Sequence, residues 1–172
     1  MWFKSWLLYD VPNMVEKIIV LDSIRSAYNV GAIFRTADGA GVAKVILGGY
    51  TPSPIDRFGR INPQIKKTSL GASQTMPYEV FDTLADGQTL LNKYKQQGYS
   101  IVAIEQADRA ISLYDFKVPA KVLYIMGNEI EGVSKEFLEM AEEVVYLPML
   151  GQKESLNVSV SAGIVMYHQN QV

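Results

Sequence analysis

Polar side chains with the chemistry of a ligand site lie in three short stretches of this sequence. Asn29 and Arg35 share the first stretch, Glu129 lies in a glycine-flanked turn, and Ser155 and Asn157 share the third. Amides and carboxylates make directional hydrogen bonds, and an arginine presents a planar cationic fork that suits a phosphate. Structural roles are the alternative, because Asn29 and Ser155 suit helix N-caps and Arg35 can be solvated. Glu129 can likewise accept hydrogen bonds from its own turn.

Glycine-containing turns follow three segments that we predict to be strands. The turns are GGYTP at 48–52, GNEIEG at 127–132 and LPMLGQKESLN at 147–157. Glycine lets a backbone approach a ligand closely, and ligands of an open parallel sheet bind beyond the carboxyl ends of its strands. We therefore expect a pocket where the turns meet. The chain has no GxGxxG after its first strand and no GxxxxGK(S/T), so dinucleotide-binding and P-loop nucleotide functions lose their main support.

Basic residues are concentrated in one part of the chain. The segment 56–67 has four basic residues against one acid, whereas 129–154 has seven acids against two lysines. The four basic residues are Arg57, Arg60, Lys66 and Lys67. This segregation favours a protein that turns one basic face toward phosphate, with a solvated charged loop as the alternative.

The elements that must position these residues alternate along the chain. Apolar strands followed by helical stretches predict an α/β fold with a mostly parallel sheet and helices on both faces. The predicted strands are 17–21, 43–47, 77–81, 99–105, 121–126 and 144–149. The predicted helices are 29–39, 62–70, 83–97, 134–142 and 156–169. The loop 50–61 is long for a compact domain and is therefore a candidate for function.

Capping residues and apolar spacing predict how the helices begin and what they bury. We expect Asn29 to open the first helix, Asn62 and Pro63 the second, and Asp82 the third. The last helix carries apolar residues at helical spacing. We expect it to bury Leu156, Val160, Ile164 and Tyr167.

The composition restricts the chemistry. A chain of 172 residues, 48% of them apolar, predicts one domain over 1–172, with residues 1–16 packed on it as an extension. There is no cysteine and only one histidine, His168, which excludes disulfides, thiolate zinc sites, cysteine nucleophiles, His-rich metal sites and Ser-His-Asp triads. We therefore expect no metal. The formal net charge of −2 argues against coating of a phosphate backbone but permits a local basic groove.

The sequence carries no membrane or export signal. No apolar run reaches the roughly 18 residues of a membrane span. Asp10 interrupts the apolar N-terminus, and no small-residue cleavage site follows it. We therefore expect a cytoplasmic protein without a membrane partner.

Three segments occur in a recognisable order: NVGAIFRTA at 29–37, IMGNEIEGVS at 125–134 and LPMLGQKESLNVSVSAGI at 147–164. Together they resemble the SpoU (TrmH-type) branch of the SPOUT RNA methyltransferases. The segment KTSLGA at 67–72 is also similar to family members. The order and spacing agree as well, and the resemblance covers the chain from Lys17 to Tyr167.

The resemblance implies methylation of a ribose 2′-hydroxyl of tRNA or rRNA, with S-adenosylmethionine as the methyl donor. It also implies a sheet whose C-terminal part forms a deep trefoil knot, and a homodimer with the site near the subunit interface. The competing interpretation is a non-catalytic RNA-binding or cofactor-sensing module of the same fold. Base methylation by another SPOUT branch is disfavoured, because the arginine motif at 29–35 is typical of ribose methylation. The composition excludes a cysteine-dependent cytosine C5 methyltransferase.

The resemblance also assigns roles to single residues. Arg35 matches the catalytic arginine of the family, Asn29 the asparagine of the same motif and Glu129 the acid of the second motif. Ser155 and Asn157 match the polar pair of the third motif. The positions that match cofactor-lining residues are Ile104, Gly127, Leu147 and Leu156.

Two roles for Arg35 stay open. In one, Arg35 deprotonates the ribose hydroxyl with help from the RNA phosphate. In the other it stays cationic, clamps that phosphate and stabilises the developing alkoxide, which agrees with a guanidinium pKa above about 12.

Selection of the RNA is a separate question, and the sequence leaves the RNA and its methylated nucleotide open. Little sequence precedes Lys17 or follows Tyr167. We therefore expect the catalytic domain, its dimer partner or an accessory protein to select the substrate. The residues expected to contact RNA phosphates are Arg57, Arg60, Lys66 and Lys67.

Overall fold

A seven-stranded sheet with helices on both faces forms the part of the chain that the computed structural model describes, residues 15–168. The strands are β1 Glu16–Asp22, β2 Lys44–Gly48, β3 Tyr78–Phe81, β4 Ser100–Ile104, β5 Ile111–Ser112, β6 Lys121–Met126 and β7 Glu143–Tyr146. The helices are α1 Ala27–Gly39, α2 Pro63–Ser69, α3 Ala72–Thr75, α4 Leu84–Gln96, α5 Lys135–Met140 and α6 Val158–Tyr167. The α/β prediction is confirmed. The two-residue β5 is too short for an apolar pattern, and the sequence did not predict it.

The strand order brings distant segments to one edge. The order is β3-β2-β1-β6-β4-β7-β5, and all the pairs are parallel. β6 lies between β1 and β4, so Met126 pairs with Leu21 on one side and with Ile104 on the other. Ile104 in turn pairs with Val145 of β7. The chain therefore leaves β1, β4, β6 and β7 at neighbouring points of the carboxyl edge.

Two apolar cores cover the two faces of the sheet. On one face, α1, α2 and α6 bury Phe34, Ile65 and Val165 against the strands. On the other face, α4 and α5 bury Leu91 and Phe137. Burial on both faces explains why the central strands are continuously apolar instead of alternating.

Three predicted helix starts are wrong by one to three residues. Ser26, not Asn29, caps α1, and its side chain accepts a hydrogen bond from the Asn29 backbone N–H at 3.3 Å. Thr83 caps α4 instead of Asp82, and Asn157 caps α6 instead of Ser155. Each true cap lies within three residues of the predicted one, because several capping residue types are clustered at each start. Asn62 caps α2 as predicted, with Pro63 at the first helical position.

The buried face of α6 is not the predicted one. Val158, Ala162, Val165 and Met166 are buried, whereas Leu156, Val160, Ile164 and Tyr167 are exposed. The helix VSVSAGIVMY contains no charged residue. Its periodicity therefore could not distinguish the side that faces the sheet from the side that faces outward.

Two further predictions concern the chain termini and the path of the chain. The packing of residues 1–16 as an extension falls almost wholly on residues 1–14, which lie outside the described residues, while Glu16 belongs to β1. The trefoil knot and the single domain over 1–172 stay predictions.

Candidate active site

A chain of hydrogen bonds joins the three sequence motifs. The Asn29 side chain donates from Nδ2 to Oε1 of Glu129 at 3.0 Å, across 100 residues of sequence. Asn157 Nδ2 donates to Asn29 Oδ1 at 3.1 Å, across 128 residues. The Asn157 Oδ1 atom then accepts from the Ser159 backbone N–H at 2.9 Å. Three of the predicted catalytic residues therefore form one polar chain, and its bonds fix the orientation of both amides.

Helices α1 and α6 meet at this polar chain because they lie side by side in the same direction. At their starts, Asn157, the N-cap of α6, donates a hydrogen bond to Asn29 in the first turn of α1. At their far ends, a Cβ at Gly39 would lie only 3.0 Å from the Tyr167 hydroxyl. The N-termini of both helices consequently lie near Glu129, where their dipoles favour a negative charge.

Glu129 is held as a carboxylate. Partial burial of the Glu129 carboxyl group raises its pKa. Hydrogen bonds from the backbone N–H of Arg25 and from the Asn29 side chain lower the pKa, and together the hydrogen bonds outweigh the burial. The net effect is a pKa below the ordinary value. Glu129 is therefore ionised at neutral pH and acts as a hydrogen-bond acceptor that orients Asn29.

The turn that carries Glu129 is built around Asn128, the polar residue that precedes it in the segment GNEIEG. The buried Asn128 side chain accepts from the backbone N–H groups of Ile130 and Glu131, at 2.8 and 3.0 Å. Its Nδ2 donates to the Ser23 carbonyl at 2.8 Å and to the Tyr50 hydroxyl at 2.7 Å. Asn128 thus connects the turn to the chain ends of β1 and β2.

Glycine is required at the start of the same turn. A Cβ at Gly127 would lie 2.2 Å from backbone atoms of Gly132 and Val133. Only glycine allows the two sides of the turn to approach this closely. The glycines that the sequence singled out therefore have a steric reason.

A pocket lies beside this turn, at the carboxyl edge of the sheet. The predicted cofactor residues Ile104, Gly127, Leu147 and Leu156 all line it, and so does Ser155. They come from the ends of β4, β6 and β7 and from the segment before α6. The strand order therefore brings these five predicted positions to one pocket.

Other residues of the pocket were missed by sequence reasoning. Glu105 lines it and accepts from the Val133 backbone N–H at 2.9 Å, which holds the glycine turn. Gln106 also lines it and donates from Nε2 to the Glu154 carbonyl at 2.5 Å, which fastens the segment after β7. Glu105 ends the predicted strand 99–105 and Gln106 follows it, so their position at the carboxyl end of a strand was the available signal. Gly132 and Met149 also line the pocket and lie in two of the turns where we expected it. The remaining residues that were missed are Met126, Tyr146, Val158 and Ser161.

Arg35 stands apart from the polar chain. It is exposed, and it makes no hydrogen bond or ion pair with the residues that the structure describes. Six helical residues separate it from Asn29, which corresponds to about 9 Å along α1 and about 120° around it. The structure of one chain therefore does not bring Arg35 to Glu129, Asn29 and Asn157.

The predicted RNA-contacting residues lie on the loop after β2 and on α2. All four are exposed: Arg57, Arg60, Lys66 and Lys67. Helix α2 packs tightly on α1 at Gly31, where a Cβ would lie only 1.9 Å from the Thr68 hydroxyl oxygen. Glycine at position 31 of the first motif therefore sets how closely the basic helix approaches α1.

Within residues 15–168, histidine, aspartate and glutamate side chains form no group of three or more that could hold a metal ion. None of the helices in the same range combines the length and the apolar character needed to cross a membrane.

The chain is similar to known proteins both in sequence and in structure. The model of the SpoU rRNA Methylase family matches residues 16–167. The 23S rRNA (guanosine-2′-O-)-methyltransferase RlmB of Neisseria meningitidis serogroup B is 35% identical over 149 residues, which are 87% of this chain and 56% of that protein. This chain therefore spans little more than half the length of that relative.

Solved structures agree with this match. An AdoMet-bound rRNA methyltransferase from Sinorhizobium meliloti superposes with a TM-score of 0.78 at 26% identity, over 89% of this chain and 55% of that one. The TrmH/SpoU tRNA modifying enzyme of A. aeolicus gives a TM-score of 0.75 at 28% identity, over 90% of this chain and 74% of that one.

Proposed function

The chain belongs to the SpoU rRNA Methylase family, and from this we propose that it is an RNA methyltransferase that acts on a ribose 2′-hydroxyl of tRNA or rRNA. The observation that carries the proposal is the polar chain of Glu129, Asn29 and Asn157 beside the pocket. A relative that methylates a guanosine 2′-oxygen of 23S rRNA supports rRNA, and a structural relative that modifies tRNA supports tRNA. We place the protein in the cytoplasm, where these RNAs are found.

S-adenosylmethionine is the proposed cofactor, and the pocket fits it. Ile104, Leu147 and Leu156 supply apolar surface for an adenine ring, and the backbone around Gly127 supplies hydrogen-bonding groups at close range. Ser155 and Glu105 supply polar side chains for a ribose or an amino group. A relative crystallised with AdoMet supports the same assignment. When bound, the cofactor supplies a methyl group that is already electrophilic.

The residues of the chain must then orient the RNA hydroxyl and assist the loss of its proton. Asn29, fixed by Glu129 and Asn157, presents an amide of defined orientation at the N-termini of two helices. Arg35 has the two roles described above, as the base or as a cationic clamp on the phosphate beside the reacting ribose. Arg57, Arg60, Lys66 and Lys67 contact phosphates further along the RNA.

A homodimer completes the proposal. The outward side of α6 exposes Val160, Ile164 and Tyr167, and Tyr28 is exposed on α1 beside it. Tyr28 and Arg35 are seven residues apart, so they lie two turns apart on the same side of α1. A second copy that covers this apolar face buries it and brings Arg35 to the interface, which explains why Arg35 lies away from its own polar chain.

Methyl transfer into RNA tests the proposal. Labelled S-adenosylmethionine is incubated with the full chain and unmodified total tRNA or rRNA, and the product is digested to nucleosides. We expect label in a 2′-O-methylnucleoside, and we expect Arg35→Ala to remove it. Cofactor binding without incorporation into any RNA would instead favour the non-catalytic module.

A further inference from the structure

The tip of the loop between β2 and α2 carries an exposed aromatic ring between two arginines. Phe58 is 67% exposed, although phenylalanine is normally buried. The guanidinium carbons of Arg57 and Arg60 lie 4.9 and 5.0 Å from the centre of its ring. The ring contributes nothing to either core of the sheet, so packing gives no reason for a phenylalanine at this position.

Hydrogen bonds inside the loop constrain the backbone that carries this ring. Both Asp56 carboxylate oxygens are used inside the loop, where Oδ1 accepts from the backbone N–H groups of Phe58 and Arg60 at 2.8 and 2.9 Å. Oδ2 accepts from Arg60 Nε at 2.7 Å. Ile55 and Ile61 form an antiparallel bridge at the base of the loop. An exposed aromatic residue on a constrained loop loses little conformational freedom when a ligand covers it.

An unpaired RNA base fits this surface by shape and charge. Every base has a flat face that stacks on an aromatic ring, and its two flanking phosphates need cations nearby. A base in a duplex is already stacked between its neighbours, so a duplex offers the loop only its phosphates. The combination of one exposed ring with two arginines is therefore better matched to single-stranded than to double-stranded RNA.

The two arginines are held differently. Arg60 forms an ion pair with Asp56, so it stays beside the ring. Arg57 forms no ion pair with the residues that the structure describes, so its guanidinium is available to an incoming phosphate. Arg60 therefore supports the ring in addition to its phosphate contact, whereas Arg57 contacts only the backbone of the RNA.

The position of the loop connects it to the candidate active site. The loop begins after Tyr50, whose hydroxyl bonds to Asn128 in the glycine turn. It returns to the sheet through α2, which packs on Gly31 of α1. Phe58 is eight residues from Tyr50, which limits their separation to roughly 28 Å. This limit permits the ring to contact a base on the same RNA strand as the reacting nucleotide.

We propose that Phe58, supported by Arg60, is a stacking platform for an unpaired RNA base that flanks the methylated nucleotide. The inference rests on the proposed function for the identity of the substrate as RNA. It adds that the substrate is single-stranded at this point, as in a loop, a bulge or a chain end.

Binding of two fluorescein-labelled RNAs to the full chain tests the platform. One probe is a single-stranded 12-nucleotide RNA, and the other is the same RNA annealed to its complement. We expect Phe58→Ala to weaken binding of the single strand roughly 5- to 150-fold and to leave binding of the duplex unchanged. Phe58→Leu should match the alanine variant because it cannot stack, and Phe58→Trp should bind like the unchanged protein.

The salt dependence and a matched control complete the experiment. Phe58→Ala should leave the slope of log K against log salt unchanged, whereas Arg57→Ala should reduce its magnitude by about 0.7. Tyr114→Ala is the control, since Tyr114 is 76% exposed at the β5 edge of the sheet. It should leave binding of both probes unchanged.

Three results would overturn the platform. The first is that Phe58→Ala binds the single strand as well as the unchanged protein does. The second is that Phe58→Ala loses equal affinity for the single strand and the duplex. The third is that its loss of affinity is accompanied by a change in the mass measured by sedimentation. The binding assay contains no methyl donor, so its result does not depend on methyl transfer. Failure of methyl transfer would count against the proposed function, whereas Phe58-dependent binding would still support the platform.

Discussion

Asn29→Asp replaces the central donor of the polar chain by a group of the same shape. In the unchanged protein, Asn29 donates to Glu129 at 3.0 Å and accepts from Asn157 at 3.1 Å. An aspartate keeps the acceptor that faces Asn157. It turns the other oxygen toward the Glu129 carboxylate, so one hydrogen bond becomes a contact between two negative charges.

The magnitude follows from that geometry. Two unit charges 3.0 Å apart repel each other by about 1.4 kcal/mol in bulk water, and the exposure of Glu129 places the pair near this solvated limit. The lost hydrogen bond to a charged group adds about 1.5–3 kcal/mol. If the variant loses about 3 kcal/mol of transition-state stabilisation, kcat/KM falls roughly 150-fold.

The pH dependence identifies the cause. Like charges raise the pKa of a carboxylate pair, and a shared proton restores a donor between positions 29 and 129. We therefore expect the ratio of kcat/KM between Asn29→Asp and the unchanged protein to rise as the pH falls from 8 to 5.5. The stability deficit in urea unfolding should follow the same direction, being largest at high pH and relieved as the pair takes up its proton.

Asn92→Asp is the matched control for this experiment. Asn92 is exposed on α4, against the other face of the sheet, so the variant adds the same charge away from the polar chain. A control that loses as much activity as Asn29→Asp would contradict the reasoning. A deficit in Asn29→Asp that stays constant between pH 8 and 5.5 would do the same.

Three more predictions test other parts of the structure. Arg35→Lys should lower kcat/KM by roughly tenfold or more and leave the cofactor affinity unchanged, because lysine lacks the planar fork of the guanidinium. Near-normal turnover would instead show that only the positive charge of Arg35 is needed. Ile164→Glu should shift sedimentation velocity from dimer toward monomer, whereas Val80→Glu, on an equally exposed residue of β3, should not. Burial lowers the pKa of Lys17 to about 8, so the unfolded chain binds the proton more strongly between pH 8 and 10.5. The stability of the unchanged protein should therefore rise with pH in that window by up to about 3 kcal/mol relative to Lys17→Met, measured by urea unfolding.

The sequence by itself determined the local features of this protein. Short apolar runs predicted six of the strands, and β6 at 121–126 was predicted to the residue. Asn62 followed by Pro63 predicted the start of α2, because capping depends only on neighbouring residues. The motifs likewise predicted Asn29, Glu129 and Asn157 as site residues before any contact between them was known.

Tertiary structure decided which of these features meet. The insertion of β6 between β1 and β4 placed Gly127 beside Ile104. It also made Glu105 and Gln106 pocket residues, although the sequence showed only that they lie at the end of a predicted strand. Helix α6 has no charged residue to mark its outer side, so its neighbours determined that Val165 is buried and Ile164 exposed. Periodicity and capping act over a few residues, whereas strand order and the buried face of a helix depend on contacts between residues more than a hundred positions apart.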